Sequence, residues 1–351
     1  MRRLNRLLPC LCLCLLLVRQ GRAQSQLPTG NTNINTNTTR ARVVIVQDPS
    51  ATDDFQPVSD RIQLMVDRAI TNLTGKATVS AAWLSLVSTN DTIGLKVFSS
   101  PGPNSGTRPA VAAAVVQDLL AAGVPPRQII IWDKRSVDLR LAGFYDLEQR
   151  YGIRVMGSVE AGYDPEKFYE RAFLGRLSWT DLEFGQEGPG IGRKSYVSKL
   201  LTHQITKIIN LSPLIHNNLT GVSGNLYSLA LGSVDNTLRF ENAPSQLAEA
   251  VPEIYALPSI SDRVVLNIVD ALVCQYEGQE RSLLHYAAVL NELRFSRDPV
   301  ALDTLSLSEI NRQREAAGTP AVKNNTELLP NAAILELGVN DLHHIDVEKL
   351  P

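Results

Sequence analysis

Ile93-Gly94-Leu95-Lys96-Val97-Phe98, then Ser99 to Thr107, then Pro109 to Ala122, then Gln128-Ile129-Ile130-Ile131-Trp132-Asp133: these four consecutive pieces decide the fold. The first is apolar apart from Lys96 and reads as a buried strand. Ser99-Ser100-Pro101-Gly102-Pro103-Asn104-Ser105-Gly106-Thr107 is dense in turn formers and continues neither strand nor helix. Pro109 suits the first position of a helix, the alanine-rich run supplies strong helix formers, and Gly123 supplies the stop. The fourth piece is another apolar strand, closed by Asp133. Strand, loop, helix and strand make a βαβ unit, whose two strands run parallel in one sheet.

The pattern repeats outward. Val43-Val44-Ile45-Val46 is a β-branched strand, and Val58 to Leu73 places Ile62, Val66, Ala69 and Ile70 at helical spacing. Lys207-Ile208-Ile209-Asn210-Leu211 predicts a strand, Ser212 to Gly224 a polar loop, Asn225 to Leu231 a helix, and Arg263 to Ile268 a strand ending near Asp270. Asp298 caps a helix opened by Pro299. This alternation predicts an α/β fold, a parallel or mixed sheet with helices on both faces built from repeated βαβ units. Tyr151 to Leu200, rich in Gly, Asp and aromatic residues, predicts an insertion or lid without clear strands.

The chain has 351 residues and a formal charge of −2. Arg2, Arg3 and Arg6, an apolar run from Leu7 to Val18, and Gly21-Arg22-Ala23 read as a signal peptide over residues 1–23, cut after Ala23 and using the general secretory route. Residues 24–41 read as a disordered polar linker, and 42–351 as a single α/β domain with the possible lid at 151–200. The predicted location is exported, periplasmic or extracellular. Cleavage removes five arginines and no acids, which takes the charge from −2 to −7, a surface that repels phosphate backbones and argues against nucleic acid as a partner. It also removes Cys10, Cys12 and Cys14; Cys274, in an apolar setting, reads as a packed small hydrophobe. No later stretch is long and apolar enough to span a membrane. Asn37, Asn72, Asn90, Asn210, Asn218 and Asn324 begin Asn-x-Ser/Thr triplets, which imply glycans only in a host that glycosylates.

Ligands of open parallel sheets sit outside the carboxyl ends of the strands, where loops converge and helices begin. Lys96 and the Ser99–Thr107 loop, Asp133, Ser212–Gly224, Asp270 with Glu277-Gly278, and Asp298 are expected along that edge. Thr107, Arg108 and the backbone of their loop offer an anion site at a helix start, although a plain chain reversal fits the loop equally well. Asp133 and Asp270 suit acid–base or cation chemistry, or turn capping. His216, between polar residues, suits ligand binding or proton transfer from an exposed position, or is a simple surface histidine. The expected ligand-binding set is therefore Lys96, Thr107, Arg108, Asp133, His216 and Asp270, with catalytic residues and cofactor unassigned. His343-His344 would diverge on a regular element, so no metal set is expected there. No nucleophile elbow, zinc-protease helix or cysteine pair stands in the mature chain.

Gly94-Leu95-Lys96, Gly106-Thr107-Arg108-Pro109, Ile129-Ile130-Ile131-Trp132-Asp133, Leu219-Thr220-Gly221-Val222-Ser223-Gly224, Asp270-Ala271-Leu272-Val273-Cys274 and Asp298-Pro299-Val300-Ala301-Leu302-Asp303 resemble, in order, the motifs of the domain of unknown function 362 family. The resemblance implies the same α/β architecture from about Val43 to Asp346. Many members carry a ferredoxin-like cysteine segment, absent here, and Tyr227-Ser228 stand where Lys-Asn is usual. A Lys common just before the Gly-Val-Thr-Gly loop has no clear counterpart. The layout is also distantly similar to the amino-terminal domain of lactate racemase-like proteins, without a histidine pair for a pincer cofactor.

Two functions compete on this reading. One is an exported protein, enzyme or not, binding a small anionic ligand or metal at the carboxyl ends of the strands. The other is a non-catalytic envelope binding or scaffold protein with a decayed site.

Overall fold

The computed structural model describes residues 40–173, 175–321 and 327–351. The signal-peptide reading, nearly all of the linker, and the triplets at Asn37 and Asn324 lie outside the described residues; Ala41 already belongs to the first strand.

The main sheet follows the order Ile345–Leu350, Ala41–Gln47, Ala287–Ser296, Val264–Gln275, Lys207–Asn217, Ile93–Val97, Ile129–Asp133, Arg154–Gly157. Every pairing along this path is parallel except the two made by Ala287–Ser296, so that strand alone is reversed. Helices cover both faces, as expected of a mostly parallel sheet. Ser59–Thr74, Val79–Leu84 and Pro109–Ala121 bury Ile62, Val66, Trp83, Val115 and Leu119 against Leu95, Ile131, Leu211 and Ile268. On the other face Asn225–Ser233 and Pro244–Tyr255 pack Leu226, Leu229, Leu247 and Val251 on Ile130, Trp132 and Ile208. Beside them Pro299–Ala316 sets Ala301, Leu302 and Ile310 on Val43, Leu214 and Val269. Each such aliphatic side chain contributes about 1.5–3 kcal/mol of burial. The α/β architecture with a mixed, mostly parallel sheet is thus the one expected.

Four local expectations change. Ser212 to Asn217 is not loop: the strand Lys207–Asn217 continues through it because its polar residues are buried beside Leu214 and Ile215 and still pair with the neighbouring strand. That neighbour runs to Gln275, so Asp270 sits within a strand and not at its end. Tyr151 to Leu200 does hold strands, the edge strand Arg154–Gly157 and the antiparallel pair Tyr163–Glu170 and Lys194–Ser198. An edge strand with polar and apolar residues alternating lacks the continuous apolar run of a central one. Asp298 follows the reversed strand and therefore lies at the opposite border of the sheet from Asp133, where its carboxylate caps Ala301 N at 2.8 Å.

Candidate functional site

The motif residues meet in buried contacts. In Ile93–Val97, Leu95 and Val97 join the core under Pro109–Ala121, so by strand alternation Lys96 points to the other face, beneath Asn225–Ser233. It is fully buried, with Nζ 2.9 Å from Asp133 Oδ1, and donates to Val97 O at 2.6 Å and Ser228 Oγ at 3.1 Å. Burial holds its pKa below the ordinary lysine value, against the pull of Asp133. Asp133 also accepts from Ser99 N and Ser99 Oγ, both at 2.7 Å, and from Lys134 N at 2.8 Å. Four donors on two oxygens fill the acceptor capacity of a carboxylate. Gly232 has to be glycine here, since a Cβ would stand 2.3 Å from Lys96 Cε.

Asp270 alternates with Val269 and Ala271, which face Pro299–Ala316, and therefore points to the face opposite Lys96. It receives Arg108 N at 3.0 Å and Arg108 Nη1 at 2.9 Å, while Arg108 Nη2 donates to Asn104 O. Thr107 accepts from Phe98 N at 2.9 Å and donates to Leu211 O at 2.8 Å, which pins the loop to the sheet. The anion expected at the start of Pro109–Ala121 is thus supplied by the chain itself, as the Asp270 carboxylate.

His216 is not an exposed residue of a polar loop. It is buried near the end of the long strand, with Nδ1 lacking a hydrogen-bond partner among the described residues. Burial, then the Arg314 charge, push its pKa down to about 4, so it is neutral at ordinary pH. The six expected residues therefore form two ion pairs on opposite faces, with Thr107 fastening the loop between them and His216 in neither pair. Cys274 is buried and its thiol pKa is pushed up by burial, in keeping with a packed hydrophobe.

A third buried carboxylate closes the Asp298–Asp303 phrase and was not among the expected site residues. Asp303 accepts from Asn225 N at 2.7 Å, Leu226 N at 2.9 Å and Asn225 Nδ2 at 3.1 Å, satisfying the start of Asn225–Ser233. Burial raises its pKa to about 6.

Beside Asp133 opens a cleft of about 170 Å³ at the carboxyl ends of Ile93–Val97 and Ile129–Asp133. Phe98 and Tyr227, in edge-to-face contact at 6.3 Å, form an aromatic wall, and Ser228 joins the cleft to Lys96. Lys134, half-buried, bonds to Thr237 Oγ1 and lies 3.8 Å from Glu241. Burial lowers its pKa, with Glu241 opposing. Asp138 is different: among the described residues its carboxylate has neither a hydrogen-bond donor nor an ion-pair partner. Burial, then the Asp133 charge, raise its pKa. Among the described residues no group of three or more His, Cys, Asp or Glu could hold a metal ion. Lys134 and Asp138 were legible in principle, since both follow the strand-terminal Asp133.

A family model described as a domain of unknown function, DUF362, matches residues 93–308. No curated protein matches the chain. Among solved structures, a protein from Thermotoga maritima determined by a structural genomics consortium is similar at 12% identity with a TM-score of 0.40. The match covers 75% of this chain and 60% of that one, so the chain spans less than two thirds of its length.

Proposed function

Since the chain belongs to the DUF362 family, whose description assigns no chemistry, we propose from the amino-terminal sequence that the protein is exported, and from the cleft itself that it binds a small molecule bearing a cationic group against Asp138. The observation that carries this reading is the Asp138 carboxylate, half-buried without a hydrogen-bond or ion-pair partner among the described residues, where the charges of Asp133 and Glu160 outweigh that of Arg135. A half-buried charge without a partner is costly, and a ligand cation relieves it. Carboxylates lining the cleft, Asp133, Asp138, Asp181 and Glu241, outnumber the cations Lys134 and Arg135, and Phe98 and Tyr227 add ring surface that suits an ammonium group. An anionic ligand is less well served, because Arg108 and its helix start are taken by Asp270. No helix among the described residues is long and apolar enough to cross a membrane.

The saturation of Asp133 leaves it no lone pair for proton abstraction, so it holds Lys96 and the Ser99 loop in place and does not serve as a base.

Thermal unfolding in the presence of putrescine, ethanolamine, phosphate or succinate tests the ligand class. The amines are expected to stabilise the wild type, by about 2.7 kcal/mol at a hundredfold excess over Kd, and to leave Asp138→Asn unmoved. Stabilisation by phosphate or succinate alone, or an equal amine shift in the variant, overturns the reading. Export is checked separately by the amino-terminal sequence of secreted protein, expected to begin at Gln24.

A further inference from the structure

One wall of the cleft is made by two segments that hold each other through exchanged carboxylates. Asp181 accepts from the backbone N–H of Asn236 at 2.7 Å, and Asp235 accepts from the backbone N–H of Leu182 at 2.7 Å. Each acid has a second backbone donor, Ser178 N for Asp181 and Tyr196 N for Asp235, both at 2.5 Å. Asn236 Nδ2 reaches Lys194 O at 2.8 Å, and Glu183 takes Gly192 N at 2.7 Å and Tyr196 OH at 2.9 Å. From one side Ser178, Thr180 and Asp181 line the cleft, from the other Thr237, Leu238 and Glu241. Both Asp181 and Asp235 are buried, and no cation lies within ion-pair distance of either among the described residues.

We propose that Asp181 and Asp235 form a proton-operated clasp on the cleft, in which uptake of one proton tightens this wall and its loss loosens it. The proton goes to the Asp235 carboxylate and leaves from it to water. Two like charges held together in a poorly solvated place disfavour double ionisation. The groups facing Asp235 do not cancel that repulsion. Lys134 contributes a positive field from the strand end and Arg239 from the following helix, while Glu183 adds negative charge and Tyr163 and Tyr196 stay neutral. Burial raises the Asp235 pKa to about 6; the bonds from Leu182 and Tyr196 oppose it and Asp181 adds to it. When the segments part, Asp235 meets water and its pKa returns toward the ordinary 3.8. The proton therefore binds the closed arrangement more tightly, and a fall in pH through about 6 favours closure. This rests on the cleft wall alone and holds whatever the cleft binds.

Amide exchange of the full chain between pH 5 and 7.5, corrected for intrinsic rates, tests it without a ligand. The protection factor of the Leu182 amide is expected to be about tenfold higher at pH 5 than at pH 7.5. In Asp235→Asn that difference is expected to vanish, whatever the level of protection. Asp181→Asn removes the neighbouring charge and is expected to move the step to lower pH, which supplies a second readout should Asp235→Asn fold poorly. Protection that is flat or falls on acidification in the wild type, or a step unmoved by Asp181→Asn, overturns the clasp.

Discussion

Gly224 sits against Asp303 so closely that a Cβ on the glycine would stand 2.2 Å from Oδ1. The contact joins two phrases that lie far apart in sequence. Leu219–Gly224 brings the start of Asn225–Ser233 into place, and the last residue of Asp298–Asp303 caps it. The other four phrases pair in the same manner, Lys96 with Asp133 and Arg108 with Asp270. In each case a buried carboxylate answers donors that another segment could not satisfy alone.

Gly224→Ala is expected to displace that carboxylate and strip the helix start of its cap. The cost is about 2–4 kcal/mol, from overpacking together with the lost cap. Asp303→Asn keeps the size but replaces one acceptor oxygen with an amide NH2 donor facing N–H groups, and is expected to cost about 1–3 kcal/mol. Urea unfolding of both variants measures this; values within 0.5 kcal/mol of wild type, the ordinary range for surface changes, would show that the contact carries no weight.

The Lys96–Asp133 pair sets a different expectation. Removing one partner of a buried pair leaves the other charge uncompensated, at about 3–5 kcal/mol. Lys96→Met is therefore expected to be severely destabilising, and Asp133→Asn likewise. The double variant Lys96→Met/Asp133→Asn removes both charges and is expected to be more stable than the sum of the single losses by at least about 1 kcal/mol. Additive losses in a double-mutant cycle would mean that the two groups do not interact energetically.

Much of the fold was legible because apolar runs such as Ile129–Trp132 and caps such as Asp298-Pro299 act locally, so spacing and propensity report them directly. The errors have a common cause. Ser212, His216 and Asp270 read as loop or strand-end residues because they are polar, yet each is buried in a long strand. Burial of a polar side chain depends on a partner that arrives from elsewhere in the chain, and one sequence does not reveal that partner. The site shows the same limit. Convergence at the carboxyl ends of the strands follows from parallel topology, which put Lys96 and Asp133 in one expected set without pairing them; the structure makes them an ion pair. The face on which each side chain points separates Lys96 from Asp270, and the reversed strand Ala287–Ser296 carries Asp298 to the far border. Asp303 was passed over because a mid-helix acid has no local signature of the amides it will cap. Asp138 was missed for the opposite reason, since only the cleft around it makes its lack of a partner meaningful.

His216 yields a pH prediction with a definite sign. Its pKa falls from an ordinary 6.5 to about 4 in the folded chain, so the unfolded chain takes up the proton first as pH drops. The stabilising contribution of the neutral ring is complete above pH 6.5, declines as pH falls toward 4, and changes no further below that. Over the whole window the loss is roughly 3 kcal/mol, from about 1.4 kcal/mol per pKa unit. His216→Gln removes the titration, so the stability of wild type minus variant is expected to be constant above pH 7 and to fall steadily between pH 6.5 and 4. The acids Asp235 and Asp303, whose folded pKa values are raised, bend both curves in the other direction, and they cancel in that difference. Urea midpoints at half-unit pH steps measure it. Parallel curves for the two proteins across this window would place His216 in contact with water or with an acceptor for its second proton, contrary to its buried and unpartnered Nδ1.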